Sequence, residues 1–271
     1  MILGVLGKGG SGKSTLSTML THELLAAGKR VLAIDADHNM DLAYNLGATI
    51  APPYLGDALD AFLAHIGHMG HYSDIFTQAH PPRTIPFTFD EPFTRDHAQR
   101  ITDQLLVMLT GPQSERVLHG EACSHSLATV LKAYLPLLEL DTDHAIVVDE
   151  KASVDAVSTG IPTGFDLAVI AVEPRDPSIR AAQHIARALE FYDVPYVFVG
   201  NKVRDEQEAA ALNKQLGTPC VATVAFATTP TMEKSSGLLE NITKQLQASP
   251  ARRLERTRRK FVQGKEFSEG Q

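Results

Sequence analysis

Nine consecutive residues near the start of the chain, Gly7-Lys8-Gly9-Gly10-Ser11-Gly12-Lys13-Ser14-Thr15, have the types and the spacing to hold a polyphosphate. Glycines let the backbone curl closely around an anion, so main-chain N–H groups from Gly9 to Thr15 can surround the phosphates. Lys13 then neutralises the β- and γ-phosphates, and the Ser14 hydroxyl ligates magnesium. Unpaired N–H donors and a favourable dipole are supplied by the helix that must start directly behind.

The flanking residues agree with that requirement. The apolar run Ile2-Leu3-Gly4-Val5-Leu6 precedes the loop, and residues 16–25 follow it with apolar positions at helical spacing, which predicts strand, turn and helix. Further buried strands are expected over residues 31–34, 105–109, 145–148, 167–174, 195–200 and 220–226, with a helix over 178–192. The second of these alternating units ends in Asp35-Ala36-Asp37 and a later one in Asp149. Ligands of parallel sheets sit beyond the carboxyl ends of strands, so these acids point toward the phosphates, and Asp149 is placed to hold magnesium through water.

With a second lysine, Lys8, just after its first glycine, the loop resembles that of the deviant phosphate-loop ATPases. These include the nitrogenase iron protein, the Min and Par positioning ATPases, the arsenite-pump ATPase and the carbon monoxide dehydrogenase accessory (nickel-insertion) ATPases. The resemblance covers residues 1 to about 248. It implies an α/β fold, a three-layer P-loop NTPase with a central, mostly parallel sheet flanked by helices. ATP and Mg2+ become the expected cofactors, and the expected working form is a homodimer in which Lys8 reaches the partner's nucleotide.

Other residues take expected roles by the same resemblance. Residues 35–47 look like the first switch, in which Asp37 would orient the attacking water and Asp41 would approach the magnesium shell; the other reading of Asp41 is a helix cap. His38 stands where the family commonly has proline. Residues 150–155 resemble the second switch, with Ser153 at the position of a glycine. Asn201 and Lys202 resemble the base-binding site, where an asparagine amide offers a donor and an acceptor to adenine.

One stretch departs from the pattern. In the accessory ATPases a Cys-x-Cys pair precedes the helix that residues 126–138 match; here Glu121 replaces the first cysteine and Cys123 matches the second. One such cysteine per chain cannot supply the four thiolates of a bridging iron–sulfur cluster, which argues against the electron-transfer branch. Cys123 and His125, doubled by dimer symmetry, would give a Cys2His2 set suited to a nickel or zinc ion. The alternative is a helix-capping cysteine beside an exposed histidine. The resemblance thus implies an ATPase serving maturation or metal loading of a metalloenzyme client. The rival is a positioning or scaffold ATPase that binds a membrane, nucleic acid or partner protein in its ATP state.

Composition narrows these choices. At 271 residues and 44% hydrophobic content the chain can bury a full core as one domain, residues 1–250, with a helix over 57–64 and a surface excursion over 65–103. The formal charge of −7 argues against coating nucleic acid. Two cysteines are too few for a disulfide framework, and no apolar run approaches the ~18 residues of a membrane span, so the expected location is cytoplasmic. His65, His68 and His71 are spaced by three, but Gly67 and Gly70 interrupt any helix there, and a solvated cluster is preferred to a metal site. Residues 251–271 are strongly basic with few large apolar residues, which suits a solvated tail or a docking patch for an acidic partner better than a membrane anchor.

Overall fold

A computed structural model of the chain describes residues 1–78, 80, 82–112, 119, 129–152, 155–225, 237–246 and 248–269, the side chains of 155 and 264–269 apart. Ten strands occur among them in chain order. They are β1 (Ile2–Gly7), β2 (Arg30–Asp35), β3 (Ile85–Pro86), β4 (Gln99–Thr102), β5 (Leu105–Leu109), β6 (Leu138–Glu139), β7 (His144–Asp149), β8 (Leu167–Val172), β9 (Tyr196–Val203) and β10 (Ala222–Ala225). Eight form one sheet in the order β10-β9-β8-β1-β7-β2-β5-β4, parallel throughout except for the edge pair β4 and β5. A separate parallel pair joins β3 and β6.

β1 lies between β7 and β8, and all six of its residues are buried. A strand hydrogen-bonded on both edges and covered on both faces has no use for polar side chains, which is why this run reads as continuously apolar. Its side chains alternate between two cores. Leu3 and Val5 pack with Leu16, Leu20 and Leu24 of the helix Lys13–Ala26, whereas Ile2 and Leu6 join Tyr134, Phe165 and Ile185 on the opposite face. Helix, sheet and helix thus make the expected three-layer α/β arrangement.

Two stretches behave differently from what the sequence suggests. Residues 65–103 are no mere surface excursion: Phe76, Phe87, Phe89 and Phe93 are buried in the same core as Ile2, and β4 forms the sheet's antiparallel edge. The basic stretch is no solvated tail either. It forms the helix Pro250–Glu269, which docks across the body. Arg253 is 1% exposed, pairs with Asp166 and donates to the Leu138 carbonyl at 2.6 Å. Arg256 donates to the carbonyls of Phe165 and Asp193, at 2.5 and 3.2 Å. Phe261 stacks on Phe76. These arginines are buried because carbonyls and a carboxylate meet them there, partners that a local reading of charge cannot see.

Candidate functional site

Four strand ends converge on the loop that follows β1. Gly12 opens the helix Lys13–Ala26 at φ +85°, in the left-handed region, and a Cβ there would lie 2.2 Å from Asn201 Nδ2. Only glycine satisfies both demands. Ser11 N–H closes a turn on the Lys8 carbonyl at 3.0 Å, and the Ser11 carbonyl accepts from Asn201 Nδ2 at 2.7 Å. Peptide units are planar and trans, so a carbonyl fixed toward Asn201 turns the Gly12 N–H the other way. Lys13 is buried while Lys8, Gly9, Gly10 and Thr15 are exposed. The loop therefore presents an open outer surface above a buried ammonium.

Asp149 stands beside this loop as the last residue of β7 and is fully buried. Ser17 Oγ, one helical turn beyond Lys13, donates to its Oδ1 at 3.0 Å, while Oδ2 has no hydrogen-bond partner among the described residues. Burial pushes its pKa up to about 6, against the opposing pull of the Ser14 and Ser17 hydroxyls and of Lys13. A carboxylate oxygen without a partner and a serine hydroxyl are hard donors, and a site that shares magnesium with substrate phosphates needs only one or two protein oxygens. The residues present fit magnesium on that ground.

A second acid, Asp35, is the part that sequence reasoning passed over in favour of Asp37. It is fully buried at the end of β2 and accepts from the N–H groups of Ala43 at 2.9 Å and Asp37 at 3.2 Å. Burial, with the charge of Asp149, raises its pKa to about 7. Asp35 thus ties both ends of the loop 36–43 to the sheet. Asp37 is half-buried, and its Oδ1 accepts from Asn39 N–H at 3.1 Å. Asp41 is exposed and begins the helix Asp41–Asn45, where a negative charge suits the helix dipole. His38 Nδ1 lies 3.1 Å from the Gly111 carbonyl, which links the Asp37 loop to the segment after β5.

Glu150 is the other acid missed. It is fully buried on the opposite face from Asp149, neither carboxyl oxygen has a hydrogen-bond partner among the described residues, and burial lifts its pKa to about 8. The available signal was its place in the second-switch match directly after the strand.

Asn201 is buried, and its Oδ1 accepts from the Lys202 N–H at 3.0 Å, so both ends of the amide have protein partners. Lys202 Nζ reaches the Gly10 carbonyl at 2.6 Å. Both residues expected to meet the base therefore touch the phosphate loop itself. Cys123, His125 and Ser153 lie outside the described residues. Among the described residues no group of three or more His, Cys, Asp or Glu could hold a metal ion. His65 instead pairs with Glu91 at 2.7 Å, His68 meets the His71 carbonyl at 3.0 Å, and His71 meets Ser73 Oγ at 2.7 Å.

Comparison with known proteins follows the same lines. The model describing the CobQ/CobB/MinD/ParA nucleotide-binding domain matches residues 2–255. An uncharacterised ATP-binding protein of Methanocaldococcus jannaschii is 25% identical over 211 residues, covering 76% of this chain and 80% of that protein. The carbon monoxide dehydrogenase accessory protein CooC of Rhodospirillum rubrum is 28% identical over 192 residues, covering 68% and 67%. Among solved structures, the cell division ATPase MinD of Pyrococcus furiosus superposes with a TM-score of 0.59 at 17% identity, covering 97% and 98%. That last likeness is one of fold.

Proposed function

The chain belongs to the CobQ/CobB/MinD/ParA nucleotide-binding domain family, and from that membership we propose that it hydrolyses ATP with magnesium as a nucleotide-closed homodimer, in the service of metalloenzyme maturation. The observation that carries the ATPase reading is Asp149. Its Oδ2, without a hydrogen-bond partner among the described residues, lies in a buried setting shared with Ser14, Ser17 and Lys13, and a buried acceptor left open is costly unless a donor or cation meets it. A bound magnesium ion would neutralise charge on the β- and γ-phosphates, held by Ser14, by Asp149 through water and with Asp41 near its shell. The chain's own residues do the rest. Loop N–H groups and Lys13 hold the phosphates, Asp37 orients the attacking water, and Lys8 completes the partner's site.

Support for the client role comes from the likeness to CooC, whose name ties it to carbon monoxide dehydrogenase. Cys123 and His125, paired across a twofold axis, would hold one nickel or zinc ion as cargo. The rival reading, a positioning ATPase, would use the basic stretch as its binding surface, of which Arg253 and Arg256 are buried against the body while Arg252, Arg258 and Arg259 are exposed.

The test is ATP turnover with and without magnesium, sedimentation in ADP and ATP, and elemental analysis of anaerobically purified protein. One ion per dimer is expected, tightening as pH rises because thiol and imidazole must lose protons. Loss of that ion in the Cys123→Ser/His125→Ala variant is expected too. Turnover without any bound ion at any pH would leave the ATPase and remove the cargo. ATP-dependent pelleting with vesicles or DNA would favour the rival.

A further inference from the structure

We propose that Glu173, acting through Lys202, is a positioning residue that latches the phosphate loop in its binding shape. Lys202 Nζ lies 2.5 Å from Glu173 Oε1 and 2.6 Å from the Gly10 carbonyl, so one ammonium joins the segment after β8 to the crest of the loop. Beside it, Asn201 holds the next carbonyl, that of Ser11, at 2.7 Å. Two consecutive residues of β9 thus hold two consecutive carbonyls of the loop. With both carbonyls turned toward β9, the corresponding N–H groups are turned away from it, and the crest keeps one set of peptide orientations.

The surroundings show that this contact is built rather than incidental. Lys202 sits at φ +59°, a left-handed conformation that a non-glycine residue holds only when its neighbours over-determine it. Glu173 is itself anchored: its N–H donates to Ser178 Oγ at 3.0 Å in the first turn of the helix Asp176–Phe191, and its side chain is 15% exposed. A lysine carries four flexible bonds and three donors, so without an acceptor on its far side the ammonium would leave a neutral carbonyl for water. Glu173 supplies that acceptor.

The carboxylate has a second effect of opposite sign. It neutralises a cation close to where phosphates would bind, so removing its charge would by itself strengthen anion binding. A latch and a charge mask therefore forecast opposite changes in affinity, which makes the inference decidable.

The inference rests on the reading of this loop as a nucleotide site, and its experiment has one arm that does not. In that arm, hydrogen exchange of the amides of residues 8–12 is followed in nucleotide-free wild type and in Glu173→Gln. Exchange at the crest should quicken in the variant while the amides of β1 stay as slow as in wild type. In the other arm, the dissociation constant of Mg-ADP is measured for wild type, Glu173→Gln, Lys202→Met, Lys202→Arg and the double variant Glu173→Gln/Lys202→Met. Affinity should fall about tenfold in each of the first two variants, as for loss of a charge-assisted hydrogen bond. The double variant should lose no more than Lys202→Met alone, and Lys202→Arg should regain most of the loss. Unchanged exchange at the crest, or an affinity that is unchanged or tighter in Glu173→Gln, overturns the latch. A wild-type chain that binds no ADP would remove the nucleotide reading, with the exchange arm still deciding the latch.

Discussion

Asp35 and Asp149 are register partners at the ends of neighbouring strands β2 and β7, so two buried carboxylates project from one face of the sheet a single strand spacing apart. Burial disfavours the charge on each, and the charge of Asp149 adds to the cost of ionising Asp35. Such a pair is poor for stability and good for holding a cation, the exchange of stability for function expected at a site.

Replacing Asp149 separates these two consequences. Asp149→Asn keeps a group that can accept from Ser17 and removes one of the two charges. The nucleotide-free variant should melt higher than wild type, while magnesium-dependent ATP hydrolysis falls by about a hundredfold or more. Calorimetry and a turnover assay on the same preparation check both, and a lower melting temperature would mean that the carboxylates do not repel.

Lys8 tests the sandwich. Its side chain is exposed at the rim of its own loop. Lys8→Ala should bind ADP as wild type does and lose turnover, and mixing it with an Asp149→Asn chain should restore part of the activity, because the mixed dimer gathers both defects in one site and leaves the other with its own Asp149 and the partner's Lys8. Unchanged hydrolysis in Lys8→Ala alone would eliminate a catalytic role across a dimer.

Glu150 gives the protein a pH-dependent stability. Its folded pKa of about 8 lies above the usual 4.5, so the folded chain keeps a proton that the unfolded chain releases. The associated stability is fully present below about pH 4.5 and is lost as pH rises through about 8. Glu150→Gln cannot ionise, and it should be more stable than wild type at pH 8.5 by up to about 4–5 kcal/mol, with the gap narrowing toward pH 5. Urea titrations of the nucleotide-free protein at the two pH values measure this, and a constant gap would place the titration elsewhere.

Arg253 carries the docking of the last helix. Arg253→Met leaves Asp166 buried with only the N–H groups of Ile2 and Ser249, at 2.8 and 3.3 Å, and should cost about 3–5 kcal/mol. Pairing it with Asp166→Asn should return part of that loss. Urea midpoints would show it, and a loss below about 1 kcal/mol would make the helix a dispensable cover.

What could be read beforehand follows from the range of the interactions. The strand-loop-helix around Lys13 and the acid Asp149 are written in adjacent residues, and they stand where expected. The expected strand over 220–226 is observed as β10, Ala222–Ala225, with Cys220 half-buried before it, and the helix expected over 178–192 as Asp176–Phe191. β4 was missed because its residues alternate between half-buried and exposed at a sheet edge, so they carry no apolar run. Asp35 was passed over because Asp37, two residues later, is the same residue type. Only the register with β7 and the N–H of Ala43 tell them apart. The buried arginines were unreadable for the same reason: Asp166 lies 87 residues before Arg253.

The central place of β1 also governs the order in which a ribosome can complete this molecule. The strand and its nonapeptide are made well before their neighbours, for β1 pairs with residues 146–149 and 167–171, and the Ile2 N–H bonds to a carboxylate 164 positions away. A nascent chain that stops short of β7 therefore contains every residue of the loop without the sheet that shapes it, and an apolar β1 with neither neighbour to cover its edges. Synthesis must run through residue 172 before the phosphate loop has a frame. The loop is thus complete in sequence long before it is framed in structure, and the edges of its strand stay open to other pairings meanwhile.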